Sequence, residues 1–254
     1  MSLDDLVAKV TDPYERQARL YPALLALLPL LAMIVLLYGP KASALTSAVS
    51  TAVSCGGLYL TSNLCRELGK RLEDKLFLEW GGKPSTQLLR HRNTAIEAPT
   101  KKRYHSFLAA KINEPFPDKQ QEVTDPDDAD GIYQSGIRWL LNHTRPDGNK
   151  NLDLLFKENI AYGFRRNALG IKPVGLAISV GTILWTLTKE QVFVGPARHF
   201  IDSAAFISMP ETAIASLIVS TFMVSLWLGF FTKGSVRTIA FTYAEMLLRA
   251  CDIL

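Results

Sequence analysis

Eight basic residues have the types and spacing to receive an anion. Lys83, Arg90 and Arg92 lie close together, Lys101, Lys102 and Arg103 follow as a run, and Arg165 and Arg166 stand just ahead of an apolar stretch. A guanidinium presents a planar fork of donors that matches phosphate or carboxylate, and lysine adds a compact charge. Helix N-termini nearby would add backbone N–H groups to the same cradle. The chemistry fits an acidic face on a cytoplasmic protein partner or an anionic small-molecule signal, and nucleic acid is the third anion that such groups accept. "GGKPST", Gly81 to Thr86, lacks the GxxxxGK[ST] spacing of a P-loop. No GxSxG, HExxH or paired-carboxylate arrangement occurs, so no catalytic residue is assigned. Cys55, Cys65 and Cys251 form no CxxC pair, and His91, His105, His143 and His199 lack ligand spacing. No metal and no cofactor are expected. "DPDDAD", Asp125 to Asp130, lacks the ligand order of a calcium loop and reads as solvated.

The elements that must carry these residues follow from where the apolar residues gather. Overall the chain is 48% hydrophobic and 20% charged, which is ordinary. The distribution is not. A bilayer core needs about 20 apolar residues in a helix. Leu20 to Tyr38 and Ala44 to Leu64 carry no charge, the second being rich in Ser and Thr, and Ala213 to Thr232 fits equally well. Val174 to Thr188 is short and would extend across Lys189 and Glu190 by snorkelling. The pattern predicts an all-α, polytopic membrane protein. It has four transmembrane helices, with a helical cytoplasmic block between the second and third. The boundaries are an N-terminal segment 1–19, a hairpin 20–64, a cytoplasmic block 65–172, a second pair of spans 173–232 with a loop near 189–211, and a tail 233–254. Asp4, Asp5, Asp12 and Glu15 before the first run oppose a signal peptide.

Orientation follows from the flanking cations. The linker Gly39–Ser43 has only Lys41, whereas Arg66 to Lys75, Arg165, Arg166, Lys172, Lys233, Arg237 and Arg249 flank the other ends. Positive residues beside spans stay on the cytoplasmic side. Both termini and the block are therefore cytoplasmic, and the bilayer is the first partner. "YGFRRN" places Tyr162 and Phe164 at headgroup depth, with its arginines toward anionic lipid.

Within the block, Leu64, Leu68, Leu72 and Leu76 extend the second helix to about Glu79, where "WGG" ends it. Pro84 opposes an immediate restart, and a short helix begins near Ser85 or Thr86. Thr100 to Ile112 reads as a helix and Asn113 to Asp130 as a loop. A helix then buries Ile132, Ile137, Trp139, Leu140 and Leu141 in part. "RPDGNKN" is a turn. Asn151 to Arg166 leads into the third span. The tail groups Val236, Ile239, Ala240, Tyr243, Met246, Leu247 and Ala250 on one face, which is expected to pack on the cytoplasmic helices.

Small residues recur at helical spacing inside the spans. Ala48, Ala52 and Gly56 do so in the second, and Ser216 and Ser220 in the fourth. They permit close packing in lipid, either within one bundle or between the subunits of a homo-oligomer. In the latter case hydroxyls would line a wet path. The strongest spans hold no ionisable residue, which opposes proton-coupled transport and leaves a gated pore open.

"EWGGKPSTQLLR" and "ENIAYGFRRN" bracket the block. Together with the spans they resemble a group of bacterial membrane proteins from antiphage defence gene clusters. The resemblance implies an inner-membrane location and a cytoplasmic sensing or docking block. It also implies a membrane part that acts as effector. A structural anchor that recruits a soluble partner is the alternative. "RWLLNH" also resembles the Arg-x4-His element of HEPN-type ribonucleases, which would pair Arg138 with His143. Trp139 stands where those enzymes usually carry a polar residue.

Overall fold

The structure, a computed structural model, describes residues 12–39, 44–145, 150–192 and 202–254, with the backbone alone at 44–54 and 150. Among the described residues there is no strand. A π-helical turn at Glu15–Leu20 runs into α1, Tyr21–Tyr38. Then come α2 (Ala44–Glu79), α3 (Pro84–Leu89), α4 (Ala98–Ile112), α5 (Lys119–Thr124), α6 (Pro126–His143) and α7 (Asp153–Lys189). The chain closes with α8 (Ser203–Ile207), α9 (Glu211–Gly229) and α10 (Lys233–Arg249). Two compact units share these helices. An apolar unit combines Met1–Leu72 with Gly163–Ser235, and a helical module combines Glu73–Tyr162 with Val236–Leu254. The chain passes between them within α2, within α7 and within α10.

Three helices in the described residues are long and apolar enough to cross a bilayer: Glu15–Tyr38, Asp153–Lys189 and Glu211–Gly229. The helix expected before the third span and the span itself are one element, α7, with Pro173 inside it. The expected second span lies in α2, and its first half, 44–54, has side chains outside the described residues. The packing residues Ala48 and Ala52 fall there. Gly56 is exposed, and a Cβ on it would meet no atom within 4 Å.

In the apolar unit, α1 packs along α9. One core joins Ala23, Ala26, Cys65, Ala168, Ile171, Met223, Trp227 and Phe231, and a second joins Met33, Leu37, Val192, Met209 and Ala213. The outer surface is apolar too, with Val35, Leu60, Ile218 and Phe222 exposed. A helix that is hydrophobic on all sides belongs in a large core or a membrane. Glycines set the closest approaches. A Cβ on Gly170 would stand 2.6 Å from the backbone nitrogen of Gly69, and one on Gly175 would stand 2.5 Å from the Trp227 ring. Between α7 and α9 runs a column of buried hydroxyls. Thr182 meets Ser220 at 3.0 Å and Thr186 meets Ser216 at 3.4 Å. Ser220 also donates to the Ser216 carbonyl at 2.8 Å. Ser216 and Ser220 are thus buried between α7 and α9 of the same chain.

The helical module has its own core, built from Leu88, Leu89, Tyr104, Leu108, Tyr133 and Leu140 with Leu247 and Leu248 of α10. The tail thus packs on this module, as its apolar face requires. Gly81 and Gly82 take φ of 80° and 121° after α2, and the Gly82 N–H donates to the Phe77 carbonyl at 2.7 Å. Three expectations are corrected. Pro84 does not delay the next helix but opens it, because proline at the first helical position has no amide to satisfy. The segment 113–130 is not one loop. Asp118 accepts from the N–H of Gln120 and Gln121, and Gln121 accepts from the N–H of Asp118, a capping box that starts α5. Asp125 then caps α6 ahead of Pro126. Leu141, expected to be partly buried, is exposed.

Gly170→Ala should destabilise the apolar unit by about 1–3 kcal/mol, since the added methyl meets backbone that cannot move aside. Gly181→Ala, which meets nothing within 4 Å, should be neutral or slightly stabilising. Thermal unfolding midpoints of the two detergent-purified variants provide the comparison.

Candidate functional site

The densest polar chemistry lies in the helical module, around the loop between α3 and α4. Arg90 is where α3 stops. Its Nε and Nη2 donate to the two carboxylate oxygens of Asp130 at 2.8 and 2.5 Å, and Nη1 donates to the Gly81 carbonyl at 2.9 Å. The Asp130 carboxylate raises the Arg90 pKa despite burial. Lys101, only 5% exposed, donates to the carbonyls of Arg90, at 2.7 Å, and Asn93. Burial lowers its pKa, partly offset by Glu122.

Glu122 is the anionic counterpart. It accepts from the His91 N–H at 2.7 Å, the Arg92 N–H at 3.4 Å and the Tyr133 hydroxyl at 2.8 Å. Burial alone would raise its pKa, but these donors together hold it below the ordinary value. Tyr133, buried against that carboxylate, is pushed up. His105 donates Nε2–H to the Leu89 carbonyl at 2.8 Å, because a carbonyl can only accept. His91 does the same to the Pro117 carbonyl at 2.9 Å. The two imidazoles meet edge to face at 5.0 Å, and Phe116 and Tyr133 close the ring cluster. Burial holds the His105 pKa down at about 4.

The eight predicted anion-binding residues divide by surroundings. Arg90 and Lys101 turn their donors inward and hold the loop. Arg103 is exposed and pairs with Asp252 at 3.0 Å, where Tyr104 also donates at 3.2 Å, so Asp252 titrates below its ordinary value. Lys83 is exposed and reaches Gln134 at 3.4 Å, while Arg92 and Lys102 are exposed side chains. In the apolar unit, Arg166 is 4% exposed and donates to Asn167 at 3.1 Å, whose amide donates on to the Ala18 carbonyl at 2.7 Å. Arg165 lies over the Phe230 ring at 4.0 Å. Sequence reasoning missed Glu122, Tyr133 and Asn167, and it reads Asp130, the last residue of "DPDDAD", as solvated, whereas its carboxylate pairs with Arg90. None belongs to a catalytic or ligand motif; only the capping box just before Glu122 signalled an ordered segment there.

Arg138 and His143 are both exposed, and His143 donates Nδ1–H to the Trp139 carbonyl at 2.8 Å while stacking on that indole. Five residues apart, they project about 140° from each other around α6. Among the described residues no three His, Cys, Asp or Glu side chains converge as a metal site. Comparison with known proteins gives no match, whether to a family model, a curated protein or a solved structure.

Asp130→Ala strands a mostly buried guanidinium and should cost about 3 kcal/mol, whereas Lys102→Ala should change stability by less than about 0.5 kcal/mol. Denaturant titration of both variants decides it. The depressed His105 pKa makes a second prediction. The unfolded chain binds that proton more readily, so the stabilisation is complete above about pH 6.5 and is lost as pH falls toward about 4. Glu122 adds to the acid loss at lower pH. The melting temperature should fall across pH 6.5 to 4, and His105→Gln should flatten that slope.

Proposed function

We propose that this chain is a non-enzymatic, multi-pass protein of the bacterial inner membrane, an effector or sensor subunit of an antiphage defence system. The observation that carries the membrane part is the set of three helices long and apolar enough to span a bilayer. The charge-free stretch 44–64 is the fourth span. Lysine and arginine flanking 65–172 and following the last span assign the module and both termini to the cytoplasm. A signal, either an acidic partner surface or an anionic small molecule, meets the module at its exposed cations Lys83, Arg92 and Lys102. Arg90 and Lys101 keep the intervening loop in place. Because α2, α7 and α10 each contribute residues to both units, binding at the module has a covalent route to the spans. Exposed Gly56 on α2 is a surface where copies of the chain would meet in a homo-oligomer.

The second reading, a membrane anchor for a soluble partner, is favoured by the inward commitment of Arg90, Lys101 and Arg166. It needs no change in permeability. The third reading, a membrane-tethered ribonuclease, would pair Arg138 with His143, both exposed on α6.

Uptake of a membrane-impermeant dye by expressing cells, before and during phage infection, separates the first two. The effector reading predicts uptake upon infection. It also predicts that Lys83→Glu, Arg92→Glu and Lys102→Glu combined abolish uptake at an unchanged protein level. Intact cells throughout, with a stoichiometric protein co-purifying, would replace the effector by the anchor.

A further inference from the structure

One groove in the apolar unit combines features that the reading above does not use. Its volume is about 330 Å³, and its walls are Leu72 of α2, Leu169, Lys172, Pro173 and Leu176 of α7, and Lys233 at the start of α10. The four α7 residues are spaced at i, i+3, i+4 and i+7, so they form one stripe along that helix. Every uncharged wall residue is aliphatic, both charged ones are cations, and no carboxylate lines the groove.

The depth of Lys172 is set by a hydrogen bond. Lys172 donates from Nζ to the Phe231 carbonyl at 3.0 Å. Phe231 lies just past the C-cap residue Phe230, beyond the last turn of α9. The ammonium therefore sits level with the end of a spanning helix, and one of its three N–H groups is used there. Lys233 follows two residues after Phe231.

We infer that this groove binds one anionic phospholipid, its phosphate between Lys172 and Lys233 and the start of an acyl chain along Leu72, Leu169 and Leu176. Basic pockets between spanning helices on the cytoplasmic side recognise such headgroups. A soluble anion would gain the cations but nothing from the aliphatic walls, and a zwitterionic lipid would gain the walls but carries its own cation. The inference rests on the membrane reading.

The test reconstitutes the full chain into vesicles of equal phosphatidylglycerol and phosphatidylcholine, extracts it in mild detergent, and counts retained lipids by native mass spectrometry. The expected result is about tenfold preference for phosphatidylglycerol. Lys172→Gln combined with Lys233→Gln should bring the preference to about one. Leu72→Trp, which fills the groove and keeps both lysines, should lose the retained lipid at unchanged helical content. Equal retention of both lipids by the wild-type chain, or displacement of the lipid by millimolar glycerol 3-phosphate, overturns the site while leaving membrane insertion intact. Failure of the chain to float with the vesicles overturns the site and the membrane reading together.

Discussion

Polar groups removed from water must find their partners within the chain, and that requirement orders both units of this protein. In hydrocarbon an unpaired amide or hydroxyl costs several kcal/mol, so long uninterrupted helices are the natural solution. α1, α7 and α9 meet it for most of the backbone, with Pro29 in α1 and Pro173 in α7 each withholding one helical N–H. The side chains follow the same rule. Ser179, Thr182, Thr186, Ser216 and Ser220 bond their own helices or each other, and Asn167 reaches the Ala18 carbonyl. Among the described residues the Thr86 hydroxyl in the helical module is one exception, and the Trp227 indole N–H, buried without a hydrogen-bond partner against the α7 backbone at Gly175, is another. Such a group costs about 1–3 kcal/mol, offset here by the large apolar area that the ring buries.

In the helical module the rule acts on charge. Arg90, Lys101 and Glu122 are each nearly buried, and each has its donors or acceptors matched by a carboxylate, carbonyls or N–H groups. A network of this kind fixes one arrangement, because any slip would leave a buried charge exposed to low dielectric without compensation. Two of the basic residues, Arg90 and Lys101, thereby hold the loop between α3 and α4. In the proposed function, recognition would fall to the exposed cations Lys83, Arg92 and Lys102.

The apolar runs, the helix stop at "WGG" and the amphipathic tail were legible because each depends on neighbours within a few residues. The start at Pro84 and the capping box at Asp118 and Gln121 were equally local. They were obscured by reading proline and aspartate as loop residues instead of helix openers. The polar network was not legible in the same way. Arg90 meets Asp130, and His91 meets Glu122, across chain separations that no spacing rule encodes. A lysine such as Lys101 is on the surface in most proteins, so nothing in its local sequence distinguishes it from Lys102. The proposed antiphage role is carried by the resemblance of "EWGGKPSTQLLR", "ENIAYGFRRN" and the attached spans, and the geometry bears only on the helical architecture.

The central claim is that the apolar unit lies in a bilayer with the module on its cytoplasmic side. Labelling by a membrane-impermeant maleimide tests it most directly, using Asp127→Cys in a chain whose native cysteines are replaced. The account predicts no labelling in intact cells and full labelling after the inner membrane is opened. Labelling in intact cells, or recovery of the chain in the soluble fraction without detergent, would contradict it.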